Sequence, residues 1–152
     1  MGYETKSCDA FEASAKDFDT WRQSVDVKTL IQGGEQPLVI LFKGGFTLAW
    51  LSQWDELIAL MNEILELNPN HGNARNQKAW GLNGKGDYEQ ALKVINEAIE
   101  NHPDRASYYA TRSETYSGLG LEEQALSDKE LVLLMDPREW FDAQEAKSSR
   151  CN

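Results

Sequence analysis

Three prolines set the period of this chain. Pro69, Pro103 and Pro137 stand in "NPN", "HPD" and "DPR" and recur every 34 residues. A repeat of that length admits few folds, because each unit must be one small supersecondary element stacking on the next copy of itself. Aligning the chain on the prolines brings other positions into columns. Trp54, Tyr88 and Glu122 fall together, then Leu57, Ala91 and Ala125, then Ile64, Ala98 and Val132. The small residues Gly45, Ala79 and Ser113 form a further column.

Each unit reads as two helices. In "ARNQKAWGLNGKGDYEQALKVINEAIENHP" the first helix breaks at Gly84 to Gly86, and Asp87 can cap the second. Ala91, Leu92, Ile95, Ala98 and Ile99 then form one apolar stripe, and the residue before Pro103 leaves helical space. In the following unit Gly118 and Gly120 mark the break, and Ala125, Leu126, Leu131, Val132 and Leu134 form the stripe. The first unit breaks near Ser52. Its opening "PLVILF" also suits a buried strand, although the repeat register favours helix. "GKGDYEQAL" is not a phosphate-binding loop. Ala79 stands where the first glycine of that motif belongs, and Gly86 where its hydroxyl belongs.

The columns resemble the tetratricopeptide-repeat family. Residues 72–105 carry the resemblance through Ala79, Leu82, Gly86, Asp87, Tyr88, Ala91, Ile95, Ala98 and Pro103. Residues 106–139 carry it through Tyr109, Ser113, Tyr116, Gly120, Ala125, Val132 and Pro137, with Leu121 and Glu122 in place of the acidic-aromatic pair. The resemblance implies an all-α fold, a short right-handed solenoid of helix-turn-helix repeats. The expected divisions within one domain are an N-terminal helical cap over 1–37, a divergent repeat over 38–71, repeats over 72–105 and 106–139, and a closing helix and tail over 140–152.

Charge and motif content narrow the function. The 152 residues hold 15 Lys and Arg against 25 Asp and Glu, a net charge of −10 that repels nucleic acid and anionic lipid. No apolar run is long enough to cross a membrane, and the N-terminus carries no signal-peptide core, although a removed leader would leave the same start. Zinc, thiol-redox and serine-hydrolase signatures are lacking, so neither metal nor cofactor is expected, and an enzyme is the weakest class. His71 and His102 fall in inter-repeat turns and read as solvated turn residues. Cys8 and Cys151 are either two surface thiols or a bridge between the chain's ends. A bridge would place the protein in a periplasm or outside the cell, and without one a cytoplasmic protein is expected.

What the resemblance implies about function is binding. The family's first helices line a concave groove for an extended peptide or partner helix. Carried over position by position, the groove holds Phe42 and Phe46 from the first repeat, Asn76, Trp80 and Asn83 from the second, and Glu114 from the third. Trp80, next to the small Ala79, is expected to face the groove. The carboxylate clamp of the heat-shock chaperone binders is not expected, because Phe42, Phe46, Ser107 and Thr111 occupy its polar and basic positions. The expected function is an adaptor for a peptide or protein. A dedicated one-to-one binder, either a secretion chaperone or an immunity-type inhibitor of a basic protein, is the alternative. An oligomerising assembly accessory is the third reading.

Overall fold

The computed structural model describes residues 44–136, together with the helical positions 13, 16, 17 and 20. The "PLVILF" segment, the closing helix, Phe42, Cys8 and Cys151 lie outside the described residues. Six helices follow one another from residue 44. They are α1 over residues 44–50, α2 (Trp54–Leu67), α3 (Gly72–Lys85), α4 (Tyr88–Asn101), α5 (Ala106–Gly118) and α6 (Glu122–Met135). No strand occurs among the described residues.

One turn closes every first helix. At the ends of α1, α3 and α5 the chain turns left-handed at Ser52 (φ 57°), Gly86 (φ 80°) and Gly120 (φ 73°), in the same place in each repeat. The hydrogen bonds repeat as well. Gln53 N–H donates to Leu48 O, Asp87 N–H to Leu82 O and Leu121 N–H to Tyr116 O, each at 2.9 Å. Inside that loop Ser52, Gly86 and Gly120 donate to Ala49, Asn83 and Ser117 at 3.0 to 3.1 Å. Both bonds of the Schellman motif are therefore present three times. Only glycine takes that backbone without a Cβ penalty, so Ser52 holds the one strained copy.

The second helices stop by another device. Asn68, His102 and Asp136 each donate a last N–H four residues back, and a proline follows each of them. Second-helix starts are acidic, with Asp55 and Glu56 on α2, Glu89 on α4, and Glu122 and Glu123 on α6, which the helix dipole stabilises. Asp87 Oδ1 also accepts from Gln90 N at 3.4 Å and caps α4.

The repeat columns turn out to be contacts. Within a repeat the two helices cross at the small column: a Cβ on Gly45 would lie 3.3 Å from Leu57 Cδ1, and Ser113 Oγ donates to Ala125 O at 2.8 Å. Ala91 and Ala125 are buried at the crossings, as are Ile64, Ala98 and Val132. Leu57, Leu60, Met61 and Ile64 of α2 are fully enclosed with Leu48, Ala49 and Ala74. Each such side chain contributes on the order of 1.5 to 3 kcal/mol by leaving water.

Between repeats, aromatic rings lie on glycines. A Cβ on Gly84 would sit 2.7 Å from Trp54 Cε3, one on Gly118 would sit 2.5 Å from Tyr88 Cζ, and one on Gly81 would meet Ile58 Cγ1 at 2.9 Å. The aromatic column is thus an inter-repeat position. Glu122 is its third member, and among the described residues no helix follows α6.

That arrangement corrects the expected stripe on α6. Ala125 and Val132 are buried, but Leu126 is 56% exposed and Leu134 is 83% exposed. Leu126 shares a column with Ile58, which Gly81 of the next repeat's first helix covers, and with Leu92, which packs against the second core cluster. Its exposure follows from its place on the outer side of the last described hairpin.

Candidate partner-binding groove

Of the residues expected in the groove, Phe46, Asn76, Trp80, Asn83 and Glu114 lie on the first helices α1, α3 and α5. Phe46 on α1 is 51% exposed. Its ring stands edge-on to Trp80 on α3, with centroids 5.9 Å apart and planes at 61°. Trp80 is only half-buried and also packs against the first core cluster. The tryptophan therefore serves both places, where the sequence suggested the groove alone.

The amides divide into two kinds. Asn83 is committed to its neighbour helix, since its Nδ2 donates to Thr111 O at 3.3 Å and its Oδ1 accepts from Thr115 Oγ1 at 2.9 Å. That amide ties α3 to α5 and is not available to read a peptide backbone. Tyr108 Oη donates to Asn73 Oδ1 at 2.8 Å and makes a second tie near the other end of α3. Asn76 lies between the two ties, and its Oδ1 is buried with no hydrogen-bond partner. An amide acceptor left so costs roughly 1 to 3 kcal/mol.

On α5 the groove carries Glu114, half-buried, beside the buried Thr111. No cation stands at the described groove positions of α1 and α5. The surface therefore runs from an aromatic corner at Phe46 and Trp80, across the amide of Asn76, to the carboxylate of Glu114.

One cluster was not visible in the sequence. Arg112 on α5 pairs with Asp128 on α6 through two hydrogen bonds, Nε to Oδ2 at 2.7 Å and Nη2 to Oδ1 at 2.8 Å. Its third nitrogen donates to Asn96 Oδ1 on α4 at 3.1 Å. The rings of Tyr109 and Tyr116 flank the guanidinium at 5.2 and 5.6 Å. Asp128 is 5% exposed, and its hydrogen bond raises the Arg112 pKa further above its ordinary range. The signal was partial: Tyr109, Arg112 and Tyr116 share a helix face, but a partner 16 positions on becomes a neighbour only once the helix hairpin is known.

His71 differs from the reading as a solvated turn residue, while His102 agrees with it. His71 caps α3, its Nδ1 accepting from Ala74 N at 3.2 Å, and it is half-buried. Burial pushes its pKa below the usual value, and His102 nearby lowers it further against the raising effect of its backbone hydrogen bond. His102 itself is exposed. Among the described residues no three His, Cys, Asp or Glu converge on a metal-sized point, and no helix is long and apolar enough to cross a membrane.

Three antiparallel helix pairs with a common turn at a spacing of 34 residues, and small residues at every crossing, decide the architecture. Its fold is that of the tetratricopeptide repeats. Known proteins agree. The small glutamine-rich tetratricopeptide repeat-containing protein 2 of Saccharomyces cerevisiae is 41% identical over 51 residues, which cover 34% of this chain and only 15% of the yeast protein. Among solved structures, YrrB superimposes with a TM-score of 0.62 at 21% identity, over 91% of this chain and 68% of YrrB. It is described as a tetratricopeptide-repeat protein with an unusual peptide-binding site. A crystal structure of MamA superimposes with a TM-score of 0.63 at 13% identity, over 99% of this chain and 89% of MamA. No known protein-family model matches the chain.

Proposed function

We propose that this tetratricopeptide-repeat chain is a protein-interaction module that holds an extended segment of a partner along α1, α3 and α5. The observation that carries the reading is the Phe46 and Trp80 corner. A large ring half in water and set against a second ring is the kind of site that an apolar partner side chain desolvates with gain. The peptide-binding description of YrrB, which shares the fold, points the same way.

Charge shapes the choice of partner. A net charge of −10, with Glu114 at the far end of the groove, favours a neutral or basic segment. The same acidity suits the dedicated-binder alternative, whose mark would be a basic protein bound one to one.

Selection of a random displayed-peptide library on the purified protein tests the proposal. Selected peptides are expected to carry an apolar anchor and to lose tenfold or more in affinity to Phe46→Ala, while the variant keeps its melting temperature. Peptides indifferent to Phe46→Ala and Asn76→Ala would place binding elsewhere on the solenoid.

A further inference from the structure

The sequence contains a single Asn-Gly step, Asn83 followed by Gly84. Such a step is chemically labile wherever the chain is loose. The amide nitrogen of the glycine attacks the asparagine Cγ, ammonia leaves, and the resulting five-membered succinimide takes up water to give aspartate or isoaspartate. Glycine favours the reaction because no Cβ hinders the approach of its nitrogen. Packing nonetheless demands the glycine. A Cβ at residue 84 would lie 2.7 Å from Trp54 Cε3, so a larger residue would displace the ring that joins the first repeat to the second.

The fold holds the two reacting groups apart. Gly84 lies in the last turn of α3, where a helical N–H points along the axis to the carbonyl four residues back and away from the neighbouring side chain. That restraint is weak by itself, because last turns fray. Asn83 is held from the other side as well. Its Nδ2 donates to Thr111 O at 3.3 Å, and its Oδ1 accepts at 2.9 Å from the hydroxyl of Thr115, which is fully enclosed. Cyclisation must turn the side chain back onto its own backbone, and that turn breaks both bonds to α5.

We propose that Asn83 is a latent deamidation site, closed while α3 and α5 are joined, whose conversion loosens the second and third repeats irreversibly. An aspartate here still accepts from Thr115, but its second oxygen faces Thr111 O, so two acceptors meet where a donor met an acceptor. The new charge also stands in the last turn of α3, at the negative end of the helix dipole, on a chain whose net charge is already −10. Isoaspartate adds a methylene to the backbone, which the helical repeat does not accommodate. Opening of the junction between the two repeats is thereby recorded in covalent form.

Incubation of the purified protein in mildly alkaline buffer, with peptide-map mass spectrometry of residue 83, tests the assignment. Conversion in the folded parent should be about tenfold slower, or more, than in the same chain held in urea. Thr115→Val keeps the shape of the side chain and loses the hydroxyl; with the parent's circular dichroism it should convert severalfold faster. Ser113→Ala loses a hydrogen bond to Ala125 within the α5 and α6 pair and leaves Asn83 untouched, so it should convert at the parent's rate. Asn83→Asp should unfold at lower urea than the parent, and the difference should shrink in acid, where the carboxyl regains a donor. Equal rates in the folded and unfolded chain, a rate unmoved by Thr115→Val, equal acceleration by Ser113→Ala, or an Asn83→Asp variant as stable as the parent would overturn the proposal.

Discussion

Replacing Gly118 by alanine tests whether the rings really lock one repeat to the next. The added Cβ would lie 2.5 Å from Tyr88 Cζ, far inside van der Waals contact, so the tyrosine ring must swing away or α5 must shift. Overpacking of this kind costs roughly 1 to 3 kcal/mol. Alanine in place of glycine near a helix end returns up to about 1 kcal/mol of helix propensity. Tyr88 is only half-buried and can yield in part, so the expected net loss is about 1 kcal/mol. The sign should reverse once the ring is gone. In a Tyr88→Ala background the clash vanishes, and Gly118→Ala should become neutral or stabilising by about 0.5 kcal/mol. Urea melts of the four proteins close the cycle, with an expected coupling of 1 kcal/mol or more, estimated from the overpacking range. A Gly118→Ala variant as stable as the parent, with no coupling to Tyr88, would refute the seating of rings on glycines. The same cycle at Gly84 and Trp54 should show the same sign.

Three further outcomes follow from the geometry. Ser52→Gly should stabilise by about 0.5 kcal/mol in urea melts, while Gly86→Ala and Gly120→Ala should each cost about 1 kcal/mol from backbone strain alone, because a Cβ at either glycine meets nothing within 4 Å. Asp128→Ala should cost about 2 kcal/mol, below the full penalty for a broken buried pair because the Arg112 side chain is 20% exposed; a loss under about 0.5 kcal/mol would show that the pair is ornamental. Since burial lowers the folded pKa of His71, its contribution to stability is fully present above the ordinary value of about 6.5 and is lost as pH falls through the lower folded value. Urea midpoints across that window should drop less in His71→Asn, which keeps a capping acceptor, and equal slopes would contradict the assignment.

Much of the fold was legible because the repeat writes it three times. A proline, a small crossing residue and a turn glycine in each unit are enforced by backbone and contact sterics, which leave a local mark on the chain. Even Ser52, which breaks the glycine rule, was placed by its register. The groove was legible only in outline. Phe46 stands exposed on the first-helix layer, but Asn83 is spent on Thr111 and Thr115, and no spacing rule says which of two facing amides will turn toward a neighbouring helix. Trp80 divides itself between groove and core for a similar reason: its column fixes the helix face, while the ring's size lets it cover the core edge as well. Trp80→Ala is therefore expected to cost stability as well as binding. Arg112 and Asp128, distant in sequence, needed the hairpin before they could be paired.

Whether a partner lies along the first helices can be read from an amide chemical-shift map with a selected peptide. The largest shifts should fall on Phe46, Asn76, Trp80 and Glu114, along α1, α3 and α5. Shifts concentrated on α2, α4 and α6, with those four residues unmoved, would contradict it.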